Sequence, residues 1–251
     1  EFRRVLFRSG LNLAPGFDQT GAFLALTTGP SDLTFNYSDG GSGRRVEPAV
    51  HWLANRYQRP EWLMGEAPAL ADELAAPGDG DSGADRFFPL LLLWQKKSAS
   101  ADLTRLPLHW TSDGHVPISV HRSSWTDPNA LFLGLKAGSP SGSHGHMDCG
   151  SFVLDADGQR WAVDLGAENY NRIESRGMNF WSMAQNSQRW TVFRESNLSH
   201  NTLVIDGALQ RADAETGIVR FSADSKFPHS VVDLSPAYVG QATSVHRGIG
   251  I

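Results

Sequence analysis

The sequence predicts two parts in series, a helical stretch and then an antiparallel β-sandwich, with the change near Arg105. Three observations predict this. Apolar residues recur at helical spacing before that point, and short β-forming runs follow it. Clusters of Gly, Asp, Asn and Pro separate those runs, as turns do in a sandwich.

In the first part, Glu47–Tyr57 places Val50, Leu53 and Ala54 on one helical stripe, and Pro60 ends the run. Ala69–Ala76 is a short helix former, and Pro68 ahead of it suits a first helical turn. Pro77–Ala84 is a loop by composition, and Arg86–Gln95, apolar nearly all round, reads as a buried helix. In the second part the expected strands are Val116–Val120, Ala130–Leu135, Ser151–Leu154, Trp161–Val163, Trp190–Phe193 and Thr202–Ile205. Asp155-Ala-Asp-Gly158 fits a hairpin turn.

At 251 residues the chain can bury one large core or two smaller ones. A net charge of -5 without a basic run argues against a nucleic-acid partner, although a cleft in an acidic protein can still be locally basic. The single cysteine, Cys149, excludes an intramolecular disulfide and a cysteine-based zinc site. No apolar run is long enough to span a bilayer. Glu1–Ser9 has no capping or turn logic and resembles translated adapter sequence, so it is set aside as a non-native segment. Ser244–Ile251 stops in what reads as mid-strand, and the chain is expected to be incomplete at both ends.

The chemistry concentrates in Gly138–Asp164. His144 and His146 share a face if the backbone is extended, and Asp164 returns beside them across one hairpin. His200 opens a further expected strand. Two histidines and a carboxylate suit a tetrahedral zinc site. Taken singly, each signal also fits a polar loop, a turn-forming Asp or a hydrogen-bonded strand end.

The runs SHGHMDCGSFVLDADGQRWAVDLGAENYN (143–171) and SHNTLVIDG (199–207) resemble the C-terminal β-domain of heparinase II/III-like lyases, relatives of oligoalginate lyases. RSSWTDPNALFLGLKAGSPSG (122–142) fits that domain's leading strands. APGFDQTGAF (14–23) and FNYSDGG (35–41) resemble the last turns of the group's α/α-toroid. The resemblance implies residues 10–105 as the end of the toroid and 106–251 as the sandwich, incomplete at its C-terminus. It implies a polysaccharide lyase acting on an anionic, uronic-acid-containing polymer in the periplasm or outside the cell. His144 matches the histidine that faces substrate, and His146, Asp164 and His200 match a structural zinc triad. Tyr170 falls close to a tyrosine near the site, and Tyr37 and Asp39 would lie on a toroid loop facing the sandwich, Tyr37 as a catalytic partner of His144 and Tyr170 with Asp39 as substrate-binding residues. Arg122 and Lys136 are candidates for contacting a carboxylate, although each also reads as part of a solvated strand edge, Lys136 the more so. The family's catalytic tyrosine, near a Glu-Gly-Pro-x-Tyr-type motif, has no match here, so the fragment is expected to be inactive alone.

The residue types suit β-elimination, in which a uronate's C6 carboxylate is neutralised, its C5 proton removed and the leaving O4 protonated. Two other readings stay open. His144-Gly-His146-Met-Asp148 has the HxHxD pattern of metallo-hydrolases, although Cys149 stands where that pattern continues with His. A non-catalytic carbohydrate-binding sandwich would use tryptophans such as Trp161 and Trp181.

Overall fold

Pro48 starts a helix at the position where a missing N–H costs nothing, and Gln58 in the left-handed region stops it. That helix, Pro48–Tyr57, buries Val50, Leu53 and Ala54, the stripe expected from sequence. The computed structural model describes residues 15–75, 87–96, 101–224 and 226–251. The set-aside segment 1–9 and the loop Pro77–Ala84 lie outside them. Two compact units result: one holds the described residues through Thr28 and Arg44–Leu106, the other Gly29–Gly43 and Pro107–Ile251.

The first unit also contains the helices Ala22–Thr27, Glu66–Ala75 and Leu91–Trp94. Arg86–Gln95 departs from expectation. Among its described residues, 87–95, only Leu91–Trp94 is α-helical, and Leu92 and Leu93 are exposed while Leu91 is buried. A four-residue helix has one turn, so it turns only one face inward.

The second unit holds two antiparallel sheets. The larger has the order β1 (His109–Thr111), β2 (Ile118–Arg122), β3 (Phe132–Lys136), β4 (Phe152–Ala156), β5 (Gln159–Ala162). The smaller has β6 (Gly217–Ser222), β7 (His229–Asp233), β8 (His246–Gly250). The turn between β4 and β5 has positive φ at Asp157 and Gly158, as a two-residue hairpin of type I′ requires. Trp190–Phe193 and Thr202–Ile205 are not strands. Gln188–Thr191 and Phe193–Glu195 are 3-10 turns, and 202–205 is irregular. Side-chain hydrogen bonds supply partners there in place of a ladder, since Asn197 and Tyr238 both donate to the Leu203 carbonyl.

β2 is buried along its whole length because both faces of the larger sheet are covered. Alternation sends Ser119 and His121 one way and Ile118 and Val120 the other. On the first side, Leu135 joins Val232 and Leu234 in the core between the sheets. His121 stacks on Phe221 and hydrogen-bonds Ser230 at 2.7 Å. On the second side, Ile118, Val120, Phe132 and Val153 pack under Phe35.

Phe35 belongs to residues 29–43, read from sequence with the helical part but clustered in this unit. The segment is tied to the sheet by polar groups. Asp155 accepts from Ser31 Oγ at 2.5 Å and pairs with Arg160, whose guanidinium donates to the Leu33 and Thr34 carbonyls. Gly29 and Gly134 allow this close seating: a Cβ would meet Asp155 at 2.0 Å in the first case and the Phe35 ring at 2.5 Å in the second.

The His121 ring makes the sandwich acid-sensitive. Burial, with His109 and His229 nearby, pushes its pKa down to about 4. The folded state therefore favours the neutral ring, and stability gained above the ordinary histidine pKa is lost as pH falls through that value towards about 4. Thermal unfolding followed from about pH 7 to pH 4 should show a loss on the order of 3 kcal/mol that His121→Gln removes. An identical acid profile in the variant would exclude His121 as its source.

Candidate active site

The segment that covers the sheet delivers a carboxylate. Tyr37 to Gly40 forms a tight turn, with Gly40 N–H donating to the Tyr37 carbonyl at 2.9 Å. Asp39 projects from it to three groups of the β-domain. Its Oδ2 accepts from His144 Nδ1 at 2.6 Å and from the Tyr170 hydroxyl, and its Oδ1 faces His146 Nε2 at 3.0 Å. Burial alone would raise the Asp39 carboxyl, but the bonds from His146, Tyr170 and His144 hold it down at about 2. Burial, and then Asp39 itself, push the Tyr170 phenol up to about 12.

The two histidines of the His-Gly-His run point differently. His144 has φ 58, a left-handed conformation uncommon for a side-chain-bearing residue, and its side chain is 60% exposed. His146 is fully buried. Between them, a Cβ on Gly145 would meet the Pro140 carbonyl oxygen at 2.4 Å, so the bend needs glycine there. The His144 ring lies parallel to Tyr170, with centroids 6.3 Å apart, and Phe180 and Trp181 abut Tyr170 edge-on.

His146 sits between two sets of groups. On its Nε2 side are Asp39 and Glu195, the latter at 3.1 Å, and one ligand atom from each of these three residues lies within 4.8 Å of the others. Glu195 is also 2.6 Å from the Arg189 guanidinium. Burial raises the Glu195 pKa, while His146 and Arg189 oppose the rise. An arginine this close repels a dication, so Asp39 is better read as the acceptor for His146 Nε2–H, with the Glu195 carboxylate alongside. His146 Nδ1 is then the free lone pair, and it is buried without a hydrogen-bond partner.

His200 and Asp164, the other two residues of the expected zinc triad, lie nearby, although the group whose ligand atoms converge among the described residues is Asp39, His146 and Glu195. The His146 ring is 5.3 Å from that of His200, whose Nδ1 is 2.7 Å from Asp164 Oδ2. His200 Nε2 donates to the Arg194 carbonyl at 3.0 Å, which leaves its Nδ1 facing a carboxylate oxygen. Two lone-pair atoms at that distance need a proton or a metal between them. Burial lowers the His200 pKa, but Asp164 and Asp148 outweigh it and raise it. Asp164 is further fixed by Ser151 Oγ at 3.3 Å and Gly166 N–H at 2.9 Å.

The remaining sequence candidates separate. Tyr37 packs edge-on against Phe35 over the sheet, and burial raises its pKa. The phenol that bonds Asp39 and approaches His144 is that of Tyr170. Arg122 is buried with its guanidinium 3.5 Å from the Trp125 ring centre. It lies at the end of the β2–β3 pair opposite Lys136. Lys136, expected on a solvated strand edge, is instead fully buried and bonds Asp148 at 2.6 Å. Arg189 and Glu195 were not singled out by sequence. They lie in 3-10 turns on either side of the run 190–193 read as a strand, and no spacing links them to His146.

A family model described as heparinase II/III-like, C-terminal, matches residues 118–247. No curated protein matches the chain. Among solved structures, a heparan sulfate lyase HepC mutant from Pedobacter heparinus is 14% identical, with a TM-score of 0.53, over 97% of this chain and 31% of that one. A structure of heparinase III is 14% identical, with a TM-score of 0.55, over 95% of this chain and 32% of that one. Both likenesses are of fold. The chain spans about a third of the length of these proteins.

Gly145→Ala should displace the loop that aims the two histidines. The close Pro140 oxygen is backbone and cannot move aside alone, so a loss of roughly 1–3 kcal/mol is expected in denaturant unfolding. A variant as stable as the parent would show that the bend does not need glycine.

Proposed function

The chain belongs to the heparinase II/III-like family, and from that premise we propose that it supplies the β-domain of a polysaccharide lyase. Its substrate is an anionic, uronic-acid-containing polysaccharide met in the periplasm or outside the cell. No helix among the described residues is long and apolar enough to cross a membrane. The observation that carries the reading is the shared Asp39 carboxylate, which orients an exposed imidazole and a phenol side by side.

The roles follow from those bonds. His144 Nδ1–H donates to Asp39, so Nε2 carries the lone pair and accepts the C5 proton. Loss of that proton and of the C4–O4 bond forms the C4–C5 double bond, and no water is consumed. Tyr170, kept a neutral phenol by its high pKa, breaks its bond to Asp39 and gives its proton to the departing oxygen, and the proton taken by His144 then restores the phenol. Its ring, parallel to His144, fixes the spacing between the proton acceptor and the donor.

A structural zinc ion would be held by His146 through its unpartnered Nδ1, with Asp164 and His200. It would supply a rigid cross-link between the His-Gly-His loop and the Asp164 turn. The metallo-hydrolase reading needs Asp148 as a ligand. Both Asp148 oxygens are already engaged, one by Lys136 and the other by Ser38, which argues against it.

Assayed in the complete protein on heparan sulfate, by the ultraviolet absorbance of the unsaturated uronate, His144→Ala should lower kcat about a hundredfold or more. Metal content should be unchanged in that variant and lost in His146→Ala. Full activity in His144→Ala would remove it as the proton acceptor. Loss of metal in that variant would make it a ligand.

A further inference from the structure

The Asp39 turn is itself held by a buried ion pair that none of the roles above uses. Lys136 and Asp148 have side chains 1% and 0% exposed, and their charged atoms are 2.6 Å apart. Lys136 lies on β3 on the same face as Ile118 and Phe132, the face that residues 29–43 cover. It engages Asp148 Oδ1 alone. The other oxygen, Oδ2, accepts the Ser38 backbone N–H at 2.8 Å and the Ser38 hydroxyl at 3.3 Å. Ser38 has φ 51, a left-handed conformation that a serine does not favour unaided. On the other side of the turn, a Cβ on Gly166 would meet the Gly40 carbonyl oxygen at 2.8 Å, so the turn is seated against the Asp164–Gly166 backbone as well.

We propose that Lys136 and Asp148 are positioning residues for the lyase site: the lysine orients the aspartate so that its second oxygen locks Ser38, and Ser38 aims Asp39 at His144 and Tyr170. The proposal rests on the lyase reading for its catalytic consequence, but not for the hydrogen bond at its centre. The chemistry of the pair is specific to this task. An asparagine at 148 would present an amide N–H₂ either to the ammonium of Lys136 or to the Ser38 N–H, setting donor against donor. An apolar pair would fill the volume and fold, yet leave the Ser38 N–H without an acceptor. Ser38 keeps its N–H when replaced by glycine, and glycine adopts the left-handed turn freely.

Two measurements in the complete protein test this. The first is kinetic, on heparan sulfate with metal content verified. Asp148→Asn and the double replacement Lys136→Met with Asp148→Leu should each lower kcat at least tenfold with KM changed less than about threefold. In an Asp39→Asn background, Asp148→Asn should cost little more, because it acts through Asp39. Equal losses in both backgrounds, or parental kcat in the apolar double variant, would overturn the positioning role. The second measurement is amide hydrogen exchange at Ser38, which needs no activity. Asp148→Asn should speed it at least tenfold while β2 and β3 amides stay protected. An unchanged Ser38 rate in a folded variant overturns the proposal even where the parent makes no unsaturated product, an outcome that would sink only the lyase reading. If Asp148→Asn does not fold, the apolar double variant carries both measurements.

Discussion

One carboxylate organises the site. Asp39 offers two oxygens to three donors, His144, Tyr170 and His146, and those donors come from parts of the chain more than a hundred residues away in sequence. Charge-assisted bonds of this kind are stronger and more directional than neutral ones, and a shared acceptor fixes its donors relative to each other. Everything around Asp39 keeps that acceptor ionised and in place. Asp148 grips the preceding residue, Gly166 backs the turn, and Asp155 with Arg160 ties the segment's start to the sheet. The large core between the sheets sets the platform, while buried polar contacts set the site upon it.

Local chemistry made much of the fold legible. The stripe Val50, Leu53, Ala54 and the positive-φ turn at Asp157-Gly158 are decided within a few residues, and both took the expected form. Trp190–Phe193 and Thr202–Ile205 have the composition of strands, yet no neighbouring strand pairs with them. The Leu203 carbonyl is taken instead by the Asn197 and Tyr238 side chains, and the Val192 and Phe193 carbonyls by the N–H groups of Glu195 and Ser196. Composition reports what a segment tolerates, and pairing is decided elsewhere in the chain.

The site was legible in its histidines and less so in its partners. His144, His146, Asp164 and His200 stand out because Gly-rich context and order along the chain mark them. Asp39 and Tyr170 were reached by resemblance. Their meeting depends on where residues 29–43 lie, and no spacing encodes that. Lys136 shows the same limit in sharper form. A lysine on a strand normally marks solvent, and this one is buried because residues 29–43 cover its face of the sheet and Asp148, in the loop ahead of β4, meets it.

The alternation rule explains why the two histidines could not both do the same work. Residues two apart on an extended strand share a face, which would have sent both rings inward or both outward. The left-handed backbone at His144 breaks the alternation, and Gly145 donates back to the Gly142 carbonyl at 2.8 Å to close the bend. His146 thereby reaches a fully buried position among Asp39, Glu195 and His200, where a ring can be held on both edges. His144 is left with one nitrogen tied to Asp39 and the rest of its ring open to solvent. A proton acceptor needs that exposure, and a structural group needs the burial. Strain of one to a few kcal/mol at a single left-handed residue is enough to divide the two tasks between otherwise identical side chains.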